Sequence, residues 1–277
     1  MANPVFESSP VFGDPRRQAN KGAVATQAAS TATLEQMYSA PAATARETGR
    51  LTYDDVIIKT AGLLGVLVVL AAATWWGTES GALPQGTWMI AMVVGLVLGL
   101  VNAFKRKPSP ALITLYAAAQ GVFLGGISLA FSDLTFDGKA AQPIVLQAVL
   151  ATMATFGASL WLYSSGKVRV TPKFYRWLII ALVGYLVFQL VNIGLSFFVD
   201  SGPFGPMRSG GLGIIVGLIA VGLAAASLIV DFDAIKRGVV QGVPRDFAWT
   251  AAFGLVVTLV WLYLEFLRLF AILSGRD

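Results

Sequence analysis

Two places in this sequence put carboxylates where water is scarce. Glu265 stands inside the apolar run Trp261-Leu262-Tyr263-Leu264-Glu265-Phe266-Leu267-Arg268, and Asp231 and Asp233 follow the apolar stretch that ends in Leu228-Ile229-Val230. An ionised acid in hydrocarbon costs several kcal/mol by insertion scales, so such acids face a bundle interior and do work there, as proton relays, ion contacts or charge partners. Helical spacing supports this for Glu265. Gly254, Thr258, Trp261, Glu265 and Arg268 recur at steps of four, three, four and three, which is one stripe of a helix. Counting back from Asp231 gives Ser227, Ala224, Gly217 and Gly213, a stripe of small residues of the kind that lets helix backbones approach closely. The two stripes suit each other, and an acid on each could meet inside the bundle. A plainer reading is open for both. Glu265 can be neutralised by Arg268 one turn later, and Asp231 and Asp233 can be solvated at a membrane border beside Lys236 and Arg237. Asn102, Gln120, Gln189 and Asn192, also in or beside apolar runs, read as interhelical hydrogen-bonding groups.

Composition narrows the chemistry further. The chain has no histidine and no cysteine, which removes the usual general base, the commonest zinc ligand, disulfides and thiolate chemistry. A pH response must then come from a carboxylate or a lysine altered by its surroundings. Phosphate-binding loops, Ser–His–Asp sets and clustered metal ligands do not occur in the sequence. The expectation is a protein that is not an enzyme and carries no cofactor or resident metal.

The elements that must position these acids are membrane helices. Of 277 residues, 56% are hydrophobic and 13% charged, a balance that suits lipid and not water as solvent. Residues 1–50 are rich in Pro, Ser, Thr, Ala and Gln, lack an apolar period, and are expected to be a disordered polar tail without the apolar core of a signal peptide. Residues 51–277 are expected to form an all-α, seven-helix transmembrane domain. The spans are placed at about 57–76, 86–104, 110–131, 142–164, 174–199, 211–235 and 248–273, each near the length that crosses a bilayer. Continuous hydrophobicity, in place of alternation, argues against a barrel.

Charge sets the orientation. Arg16, Arg17, Lys21, Arg46, Arg50, Lys59, Lys105, Arg106, Lys107, Lys167, Arg169, Lys173, Arg176, Lys236, Arg237 and Arg245 fall on one side. Only Lys139, Arg208 and Arg276 fall on the other, with Arg268 inside a span: sixteen against three. The positive-inside rule puts the basic side and the N-terminus in the cytosol and the C-terminus outside. The net charge of +5 is therefore topological and calls for no nucleic-acid partner; the lipid bilayer is the expected surrounding.

Three segments resemble the Bax inhibitor family. Ile229-Val230-Asp231-Phe232-Asp233-Ala234-Ile235 is similar to its sixth-span ending, Leu262-Tyr263-Leu264-Glu265-Phe266-Leu267-Arg268-Leu269-Phe270 to its C-terminal signature, and Gln120-Gly121 to its third-span pair. The resemblance covers residues 57–273 and leaves the tail outside. It implies a seven-helix bundle in a bacterial-type plasma membrane that acts as a pH-sensitive leak for calcium or other cations. In such a leak a carboxylate pair on the sixth and seventh helices shares protons and gates a pore; by position the pair is Asp231 and Glu265. Two acids in contact in a dry site cannot both ionise cheaply and titrate as a unit. The resemblance also implies a basic partner near the cytosolic end of the second span, with Arg106 or Lys105 nearest.

Depth leaves the pairing open. A straight seventh helix beginning near Pro244 lifts Glu265 by about 30 Å, too far from a cytosolic Asp231. Either that helix starts later, or it breaks, most cheaply at Gly254, or the pair does not form. The rival function is a membrane interaction protein without transport, such as one that restrains a membrane protease, with structural acids. A substrate-coupled transporter is the weakest reading, since no inverted repeat or matched pair of interrupted helices is visible.

Overall fold

The computed structural model describes residues 48–132, 135–136, 139–140, 143–199 and 204–275; the tail expected over residues 1–50 lies outside them up to residue 47. Among the described residues there are seven helices: α1 (Tyr53–Glu79), α2 (Thr87–Phe104), α3 (Pro110–Ser132), α4 (Ile144–Ser164), α5 (Pro172–Ser196), α6 (Gly210–Gln241) and α7 (Phe247–Ser274). All seven are long and apolar enough to cross a membrane. Between α3 and α4, Thr135–Phe136 pairs antiparallel with Lys139–Ala140.

Helix ends follow from local chemistry. Thr52 caps α1 by accepting from the Asp55 amide at 3.2 Å, and Thr171 caps α5 in the same way through Phe174, with Pro172 at the first helical position. The sixth helix differs from the sequence expectation. It runs past 235 to Gln241, because Lys236 and Arg237 keep their charged ends exposed while the backbone continues. Gly242, at φ +64°, finally ends it: the amide of Val243 reaches back to the Gly238 carbonyl at 3.1 Å, a closure that needs a left-handed residue. Asp231 is therefore not at the helix end. It sits ten residues inside, about 15 Å from the C-terminus of α6.

Packing makes α7 the centre. Within their most apolar windows, 72% of α7 is buried against 11% of α5, so α7 is surrounded by protein and α5 by lipid. Leu255, Leu259 and Leu262 of α7 share one apolar cluster with Ala224, Leu228 and Phe232 of α6. The small-residue stripe of α6 does what its spacing implied: Gly217 and Gly213 lie against Leu269, Arg268 and Ile272 of α7. On another side, α3 crosses α1 so closely that a Cβ at Gly121 or Gly125 would overlap the backbone carbonyl of Leu67 or Ala71. By contrast, α5 buries only Leu178 and Asn192 and packs chiefly on α6.

Candidate functional site: two carboxylates on the α6–α7 contact

Glu265 is 4% exposed and its four acceptor positions are filled. Nη2 of Arg208, from the loop before α6, lies 2.8 Å from both Oε1 and Oε2. Arg268, one turn further along α7, donates to Oε2. The Tyr185 hydroxyl of α5 donates to Oε1, as does the Trp261 indole at 3.3 Å. Arg208 also donates to the Tyr185 oxygen at 2.9 Å. A carboxylate held by two guanidiniums and two further donors sits in charge-assisted hydrogen bonds, which are stronger than neutral ones. The plainer reading of Glu265 as a partner of Arg268 is part of the structure, with a second arginine added.

Asp231 occupies a different level. It is half-buried, and its Oδ2 accepts from the Thr258 hydroxyl of α7 at 2.9 Å. The single Thr258 proton is shared with the Gly254 carbonyl, 3.2 Å from the same oxygen, and Gly254 leaves room for the Asp231 carboxylate beside it. Among the described residues no lysine or arginine comes within ion-pair distance of Asp231. Thr258 and Glu265 are seven residues apart on an unbroken helix, about 10 Å along its axis. So the structure does not bring Asp231 and Glu265 into contact. The helix neither breaks at Gly254 nor starts late; it starts at Phe247, and the longer α6 raises Asp231 only to the level of Thr258.

The remaining expected residues are distributed. Asp233 is paired elsewhere, with Arg237 at 3.1 Å and the Tyr163 hydroxyl at 3.2 Å. Lys105 and Arg106 are exposed in the α2–α3 turn and pair with none of these acids. Asn102 makes the expected interhelical bond, to the Leu112 carbonyl of α3 at 3.2 Å; Asn192 instead holds Phe204 and Met207 of the next loop at 3.0 and 2.9 Å. Gln120 and Gln189 each bury an unpartnered carbonyl oxygen.

Three participants were not singled out from the sequence. Arg208 reads as an ordinary outer-loop charge, and nothing local says that the loop folds it inward. Tyr185 sits in a helix otherwise bathed in lipid; its polar tip within an apolar run was the available signal. Asp55 is 2% exposed and bound by Arg245 of the α6–α7 turn at 2.7 Å. The same turn pairs with residues before α1, Leu51 donating to Val243 at 2.8 Å and Arg245 to Gly49 at 2.9 Å.

A family model described as Bax inhibitor 1 like matches residues 3–275, taking in the tail that the motif resemblance left outside. No curated protein matches the chain.

Proposed function

This chain belongs to the Bax inhibitor 1-like family, and on that premise we propose that it is a pH-sensitive leak for cations, chiefly calcium, gated by carboxylates on α6 and α7. The observation that carries the reading is Asp231: a carboxylate inside the bundle, on the α6–α7 contact, held by one hydroxyl and matched by no cation among the described residues. Gain or loss of one proton there changes the charge at a helix contact, which biases two packings of that contact. Glu265 has the complementary part. It is paired with Arg208 and Arg268 and pins the outer half of α7 to α5 and to the loop before α6. The two acids thus work at separate depths, one as sensor and one as closure, in place of a proton-sharing pair.

In this reading the membrane is a bacterial-type plasma membrane. The sixteen-to-three split of basic residues puts the N-terminus in the cytosol and the C-terminus outside. Partners are the bilayer and the transported ion, with no cofactor and no nucleic acid.

The test is calcium flux into liposomes containing the purified protein, followed from pH 5 to 8. Wild type shows a flux that changes with pH, and Asp231→Asn shows a flux that does not. Absence of flux at every pH sinks the proposal. A second reading has its own observation: the saturation of Glu265 by four donors suits a structural acid in a membrane interaction protein that transports nothing. That protein would give no flux, and its Glu265→Gln variant would lose stability or partner binding alone.

A further inference from the structure

Among the described residues the Glu265 cluster does not balance. Two guanidiniums share one carboxylate, so its charge is +1, in a place where Arg268 and Glu265 are 5% and 4% exposed. Both arginines reach Glu265 through Nη2 alone. Nε and Nη1 of Arg268 and Nε of Arg208 are buried with no acceptor among the described residues. Glu265 cannot serve them, because Oε1 already accepts from three donors and Oε2 from two. An uncompensated buried charge is strongly unfavourable, and each orphaned donor adds to that cost. Among the described residues the cluster thus lacks an acceptor that carries one negative charge.

We propose that the Arg208–Arg268 pair is a binding site for a compact, singly charged anion, entered from the outer side. Access follows from position. Arg268 lies six residues before the end of α7, about 9 Å from it, and the Arg208 side chain, 14% exposed, comes from the loop before α6. Two sources offer this chemistry: a free halide, or the phosphate of a lipid headgroup reached by the long arginine side chains. The site stands whether or not the protein conducts cations, since it rests on charge and orphaned donors only.

Thermal unfolding of lipid-free, detergent-solubilised protein tests it. At constant ionic strength, gluconate is replaced stepwise by bromide; in a second arm, phosphatidylglycerol is added against phosphatidylcholine. The expected result is a saturable rise of a few degrees in the unfolding midpoint, in one arm or the other, for the wild type. Arg208→Gln and Arg268→Gln each cancel the excess charge and abolish the response, and either one that folds is sufficient. Glu265→Gln raises the excess to two charges and enlarges it. A bromide response identifies a solution anion, and a phosphatidylglycerol response alone identifies a headgroup. If neither arm raises the midpoint, or if both arginine variants respond as the wild type does, the orphaned donors are met by water or by the chain itself and the proposal is wrong.

Discussion

Glu265 and Asp231 differ less in residue type than in what surrounds them, and their variants should separate accordingly. Glu265→Gln leaves Arg208 and Arg268 buried without their shared anion, and breaking a buried pair of this kind costs about 3–5 kcal/mol. The unfolding midpoint should fall by roughly ten degrees or more. Asp231→Asn keeps the Thr258 hydrogen bond as an acceptor and should cost less than half as much, while flattening the pH profile of flux. Asp233→Asn is the control. Its partner Arg237 has a side chain that is 58% exposed, so the loss is about 0–1 kcal/mol, and the pH profile should keep its midpoint. A profile that follows Asp233 and ignores Asp231 would move the sensor to the membrane border. Glu265 was legible in the sequence because hydropathy isolates it and one helical stripe gathers Thr258, Trp261 and Arg268 around it. Arg208 was not, since a loop arginine betrays its inward turn only through the tertiary path of that loop.

Helix α5 is held to the bundle by a few polar contacts. It buries only Leu178 and Asn192, but Tyr185 donates to Glu265 and lies tilted against Trp261, with ring centroids 5.7 Å apart. Asn192 ties the next loop, with Arg208 in it, to the same helix. Removing the hydroxyl in Tyr185→Phe takes away the hydrogen bond from α5 to Glu265 of α7. A chain without cysteine accepts spin labels cleanly at Val187→Cys on α5 and Leu218→Cys on α6, both exposed. The interlabel distance distribution should broaden and lengthen in Tyr185→Phe; an unchanged distribution would show that apolar packing alone holds α5. The α1–α3 crossing behaves oppositely. Gly125→Leu drives a side chain into the Ala71 carbonyl and should abolish monodisperse protein in detergent, whereas Gly157→Ala, with open space around it, should be tolerated. The Gln120-Gly121 pair was quoted from the sequence as part of a resemblance. In the structure its glycine has a physical reason, which is the close approach of the Leu67 backbone.

For the molecule as a whole, seven spans could be read from hydropathy, because lipid demands about twenty apolar residues per crossing and the breaks carry Gly, Pro and charge. The depth of each residue could not be read so well. Hydropathy marks where apolar character ends, but α6 continues through Lys236 and Arg237 to Gln241, and that extension sets the level of Asp231. Orientation rests on charge alone and can be decided independently of everything at the acids. Gln85→Cys lies in the α1–α2 turn and Ser165→Cys in the α4–α5 turn, both exposed and separated by an odd number of crossings, so they must face opposite sides. With the basic side in the cytosol, a membrane-impermeant thiol reagent applied to intact cells should label Gln85→Cys and spare Ser165→Cys, which reacts only after permeabilisation. The reverse pattern would put the Arg208–Glu265–Arg268 cluster toward the cytosol, and the anion reaching it would then be an intracellular one. Equal labelling in intact cells would mean a miscounted span or mixed insertion, and the sixteen basic residues would lose their meaning as a topological signal.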